Sequence, residues 1–159
     1  MKKFAVIALF TFSVSAADLA TNAPAPNCEL SDLKSGQSFD LSRFKGKVVY
    51  LDFWASWCTS CLQSFPFMNA MHKDLQHKGL EVIAVNLDED RQLAVDFLAR
   101  KTAHFMIARD EQQACPAQFS VQGMPTSYLI DKSGKLVRTH VGYQPADAET
   151  LRKEVESLL

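Results

Sequence analysis

Charge of one sign is what this chain most plainly lacks: 17 lysines and arginines meet 18 aspartates and glutamates, a net charge of −1 over 159 residues. With no basic excess to neutralise phosphates, nucleic acid and anionic membrane surfaces are not indicated as partners. A bilayer-spanning run is missing too. The apolar stretch at residues 4–14 falls short of the about 20 residues that a membrane helix needs. Internal repeats, low-complexity tracts and any sign of a second domain are absent. Histidine is scarce and scattered: His72 and His77 are not spaced to share a helix face, His104 and His140 stand alone, and no metal centre is expected. Asp88-Glu89-Asp90 lacks the glycine and the closing glutamate of a calcium loop and is read as an acidic helix start.

What is present begins with a leader. Lys2 and Lys3 precede the apolar stretch, and Ser15-Ala16-Ala17 offers the small residues of a cleavage site. Residues 1–17 are therefore expected to be a cleaved secretory signal peptide, with a retained anchor as the alternative. Residues 18–27, rich in alanine, proline and asparagine, read as an extended lead-in, and 28–159 as one domain. At 47% hydrophobic residues the chain can bury an ordinary core. All four cysteines lie beyond the leader, so all four would meet an oxidising compartment.

Short runs at 28–33 and 37–41 flank Lys34-Ser35-Gly36 as a hairpin, followed by a single turn at 41–44. Residues 47–54 form the most apolar strand candidate, as for a central strand covered on both faces. A long helix is predicted over 59–78, with Pro66 kinking it and Gly79 ending it. A second apolar strand at 80–87 precedes a helix at 88–101 whose Leu93, Phe97 and Leu98 fall at helical spacing. A short strand at 105–108, a short helix at 111–119, a hairpin over 126–141 and an amphipathic helix at 146–159, with Leu151, Val155, Leu158 and Leu159 on one face, complete the chain. The pattern implies an α/β fold: a mixed sheet with helices on both faces and an N-terminal hairpin extension.

The decisive feature is Trp57-Cys58-Thr59-Ser60-Cys61, placed where the central strand hands over to a helix. There the helix dipole and unpaired N–H groups stabilise a Cys58 thiolate, and Cys61, one turn on, can close a disulfide with it. A thiolate that attacks and leaves easily serves disulfide exchange, with a protein thiol or disulfide as client. Asp52 interrupts the apolar strand shortly before this motif. A buried acid should have a raised pKa; a solvated acid at an edge is the alternative.

Together, Phe44-Lys45-Gly46-Lys47-Val48-Val49, Asp52-Phe53-Trp54-Ala55-Ser56-Trp57-Cys58-Thr59-Ser60-Cys61, Pro66, Gly123-Met124-Pro125-Thr126, and Leu129-Ile130-Asp131 with Gly134 resemble the thioredoxin-fold, TlpA/ResA-like periplasmic thiol–disulfide oxidoreductases. The resemblance spans 25–159. It implies a thioredoxin fold, a periplasmic location, no cofactor beyond the Cys58–Cys61 pair, and a cis-proline at Pro125 lying against the disulfide. Met124 would then touch sulfur and client, and Trp57 would cover the disulfide. Asp52 would serve as general base towards Cys61. It also implies a reductase fed by a membrane thiol carrier, with cytochrome c maturation among the family's pathways. One departure stands out: family members commonly carry an acid soon after the CxxC, where this chain has Gln63 and Ser64.

Cys28 and Cys115 remain. A structural disulfide between them is the economical expectation, with two buried free thiols or a reactive Cys28 as alternatives. Rivals for the function are a disulfide-donating oxidase, a thiol peroxidase and a copper-binding metallochaperone module. A monomer is expected.

Overall fold

The computed structural model describes residues 21–159, so the expected signal peptide lies outside the described residues. The chain runs through β1 (Glu29–Asp32), β2 (Ser38–Asp40), β3 (Val48–Trp54), α1 (Thr59–Leu75), β4 (Leu80–Asn86), α2 (Arg91–Arg100), β5 (Met106–Arg109), α3 (Cys115–Gln118), β6 (Thr126–Ile130), β7 (Leu136–Val141) and α4 (Ala148–Glu156). A single seven-stranded sheet has the order β2-β1-β5-β4-β3-β6-β7. β3, β4 and β5 are parallel, and every other pairing is antiparallel. This is a thioredoxin-type α/β sheet with the N-terminal hairpin added to the β5 edge.

All seven residues of β3 are buried, as its unbroken apolar run requires when both faces are covered. Its side chains alternate between two cores. Val48, Tyr50 and Trp54 pack with Phe65, Met68 and Met71 of α1, Phe97 of α2 and Val155 of α4. Val49, Leu51 and Phe53 pack on the other side with Phe44, Phe119, Tyr128 and the Cys28 and Cys115 side chains. Helical segments therefore flank both faces, but unequally: α1, α2 and α4 on one, the short α3 and the 3-10 turn Leu41–Phe44 on the other.

α1 carries Pro66 without ending there, and a 3-10 turn, Gln76–Lys78, leads to Gly79 at φ 101°, the left-handed conformation that glycine adopts most readily. α2 starts later than the acidic run suggested. Only Asp90 acts at that helix start, its carboxylate accepting the Gln92 N–H at 2.8 Å. Leu93 is 47% exposed, because α2 turns Ala94 and Phe97, three apart, into the core. α4 ends at Glu156, and Leu158 and Leu159 pack on the core from beyond the helix. The described part of the lead-in is held in place: Asn22 and Ala25 donate to the Leu136 and Gly134 carbonyls, and Ala23 accepts from Leu136.

Candidate active site

At the carboxyl end of β3 the chain turns through Ala55, Ser56 and Trp57, so that Cys58 becomes the N-cap residue of α1. Its sulfur accepts the backbone N–H of Cys61 at 3.2 Å, one of the orphan donors that every helix start exposes. The Ser60 hydroxyl lies 3.6 Å from the same sulfur. Cys58 and Cys61 are joined as a disulfide. Cys58 retains 6% exposure and Cys61 none, so an incoming group meets the Cys58 sulfur first. Ser64, where the family often has an acid, is buried and donates its hydroxyl to the Cys61 carbonyl at 3.0 Å. No charge stands beside the sulfurs from that position.

Asp52 is 2% exposed, which removes the solvated alternative. The pleat puts it on the same face as Tyr50, Trp54 and the α1 core, the face that also receives Cys61. Its cross-strand neighbours are Ala84 on β4 and Ser127 on β6. Burial pushes its carboxyl well above the usual carboxylate range. Among the described residues Oδ2 has no hydrogen-bond partner, so nothing there compensates at that atom for its loss of water.

The Met124-Pro125 bond is cis. Thr126, next in the chain, pairs with Phe53, so this loop stands at the same end of β3 as the Cys58 turn. Met124 is half-buried against the core cluster that contains both sulfurs. Gly142 donates its N–H to the Pro125 carbonyl at 2.7 Å, tying the start of β6 to the end of β7. Trp57 projects from the rim at 69% exposure.

One residue that shapes the site escaped the sequence reading. Asp88, expected in a helix start, is 3% exposed and reaches back to the redox turn. Its carboxylate accepts the Ser56 N–H and the Ser56 hydroxyl, each at 2.9 Å, and the Asn86 side-chain amide at 2.7 Å. Arg109 in turn donates to the Asp88 and Glu89 carbonyls. The residue two before Cys58 is thus fixed from the loop that follows β4. Two polar residues, Asn86 and Asp88, falling where the apolar run 82–85 of β4 ends, were the available signal.

Cys28 and Cys115 are joined as well, 87 residues apart in sequence, on the opposite core and with 2% and 0% exposure. The Cys115 N–H donates to Asp110 at 2.6 Å, anchoring the start of α3. Among the described residues, no three His, Cys, Asp or Glu side chains converge as a metal site.

A family model described as Redoxin matches residues 20–159. The chain is 38% identical over 120 residues to the thiol-disulfide oxidoreductase ResA of Bacillus cereus, covering 76% of this chain and 69% of that protein. It is 34% identical over 140 residues to ResA of Geobacillus thermodenitrificans, covering 88% and 79%. A Chlorobium tepidum crystal structure, described as a thiol:disulfide interchange protein DsbE, superposes with a TM-score of 0.84 at 46% identity, covering 88% of this chain and 98% of that one.

Proposed function

The chain belongs to the redoxin family and is a thiol–disulfide oxidoreductase of the ResA and DsbE type, and from that premise we propose that it acts in the periplasm as a monomeric reductase of protein disulfides. The reduced Cys58 thiolate attacks one sulfur of a client disulfide, and the other client sulfur leaves as a thiolate. Asp52 takes the proton from the Cys61 thiol, and Cys61 then attacks Cys58 within the mixed disulfide. The second client thiolate departs, two electrons have passed to the client, and the Cys58–Cys61 disulfide remains. A membrane thiol carrier restores the dithiol by the same exchange. Trp57, Met124 and Pro125 hold the client beside the sulfurs, and no cofactor takes part. Cytochrome c maturation is the pathway proposed for it, as the family resemblance implies.

The observation that supports this reading is the buried, unpartnered Asp52 on the sheet face that carries Cys61. It provides a base for the resolving cysteine in a place where water cannot serve. The test is the Cys58–Cys61 equilibrium against graded glutathione buffers, read by fluorescence of Trp54 and Trp57. A potential well below about −200 mV supports a reductase, whereas one near −120 mV makes the protein a disulfide donor.

A further inference from the structure

A base enclosed on all sides must pass its proton on before it can act again. Asp52 is 2% exposed and its Oδ2 has no partner, so a way out has to run through neighbouring side chains. On the β4 side the facing residue is Ala84, which can carry no proton. On the β6 side it is Ser127, and Ser127 faces His140 on β7 in the same register. Asp52, Ser127 and His140 thus form one file across three adjacent strands, on one face of the sheet. Directly opposed residues in antiparallel pairs have Cβ atoms about 4.5–5.5 Å apart. Among the described residues Asp52 Oδ2 and His140 Nε2 are both unpartnered, so each transfer needs Ser127 to rotate or a water to bridge.

The surroundings of Ser127 suit a relay. It is 4% exposed, and its Oγ accepts the hydroxyl proton of Tyr50 at 3.0 Å. Burial keeps Tyr50 protonated, with the Asp52 charge adding to the effect, so that donor is permanent. One Ser127 lone pair is therefore always occupied and its own proton is free to point elsewhere. Rotation about the single χ1 bond redirects it among staggered wells, towards Asp52 or away from it. Beyond Ser127 lies a cavity of about 10 Å³, lined by Tyr50, Ser127, Arg138, His140 and Glu154. That is at the lower limit for a single water. The His140 side chain is 30% exposed, while its Nε2, 3.5 Å from Asp147, is itself buried and has no hydrogen-bond partner among the described residues.

We propose that Ser127 and His140 are the proton exit of the active site, carrying to solvent the proton that Asp52 takes from Cys61. The idea rests on Asp52 as the base for Cys61. In the step, the Asp52 O–H bond breaks as a new O–H forms on Ser127. The original Ser127 proton passes across the cavity to the buried His140 Nε2, and His140 gives up a proton to bulk water from Nδ1, on the exposed side of its ring. No electrons move. The charged and titratable groups facing this path are Tyr50 on β3, Arg138 on β7, Tyr143 just after β7, Asp147 in the 3-10 turn before α4, and Glu154 on α4, which is paired with Arg138 at 3.3 Å.

The test mixes the reduced full chain with an aromatic disulfide and reads by stopped flow the second thionitrobenzoate released. The pH is one where Asp52 starts protonated, so that the base must shed its proton through the exit before it can act. Ser127→Ala is expected to slow release at least about tenfold, within the range for a lost proton-transfer group. Ser127→Thr, which keeps the hydroxyl, should restore it. His140→Ala should slow it several-fold, and added imidazole should rescue that loss, a response that a packing defect would not give. Asp52→Asn separates the two ideas. If it resolves at the native rate, the base itself is wrong. If Asp52→Asn is slow while Ser127→Ala and His140→Ala match the parent, the base stands and the exit proposed here is overturned.

Discussion

The two disulfides occupy opposite cores of one sheet. Cys58–Cys61 spans three residues, caps a helix and leaves one sulfur partly open to solvent. Cys28–Cys115 spans 87 residues, ties the residue just before β1 to the short α3 and is buried at both ends. The bond is the same, and its surroundings decide what it does. The first meets helix-start N–H groups, a nearby buried acid and an exposed tryptophan, which are the makings of exchange. The second meets phenylalanines and leucines, and its contribution is to limit the freedom of the unfolded chain. An oxidising compartment does not make every cysteine pair a redox centre.

Substitution can break this contrast at either end. Cys58→Ser should remove exchange with a disulfide-bonded model peptide to the uncatalysed background, whereas Cys28→Ser with Cys115→Ser should leave the rate within about twofold, since only the first pair offers a reachable thiolate. The same double variant should lose about 2–4 kcal/mol of stability in urea unfolding. A rate loss comparable to that of Cys58→Ser would show that the buried pair takes part in exchange.

A smaller effect separates the two cores by pH. The Asp52 pKa is raised in the folded protein by burial, so the folded state holds a proton that the unfolded chain gives up first. Its contribution is present below the unfolded value near 3.9 and is lost as pH climbs through the folded pKa. Asp52→Asn should therefore raise the urea midpoint at pH 8 and leave it nearly unchanged at pH 3.5. No side chain is expected to give the Cys28–Cys115 core a matching response. Equal midpoints for parent and variant at both pH values would contradict the buried, unpartnered carboxyl.

The smallest expected change is at the rim. Trp57→Ala should weaken a model client about tenfold in KM, the loss of one exposed aromatic anchor, while the Cys58–Cys61 potential moves little. A large shift in potential would mean that Trp57 tunes the sulfurs instead of gripping the client.

Most of the fold was legible in the sequence because its signals are local. An unbroken apolar run marked β3, Gly79 marked the end of the long helical segment, and a strand–CxxC–helix junction marked the redox turn. The misread details are those where partners lie far off in sequence. Asp88 looked like a helix start because acids favour that place, but its hydrogen bonds go to Ser56, 32 residues earlier. Leu93 fitted an apolar stripe that α2 satisfies with Ala94 and Phe97 instead. Ser127 and His140 carried no signal at all, since only the strand register places them in line with Asp52.

The pinned lead-in decides how the molecule can be handled. Residues 22–25 are bonded to the hairpin turn between β6 and β7, and β6 runs away from the redox end of β3 to reach it. A strand the length of β3 separates the two poles, roughly 20 Å. From that turn the lead-in runs back along β7, and Thr21 shares a cleft with Gln122, Thr126 and Val141. A linker or label attached ahead of residue 21 would therefore leave towards the redox end and crowd the client side. A protein meant to stand on a fixed layer with its sulfurs turned outward is better tethered at the exposed Ser133, in the turn itself.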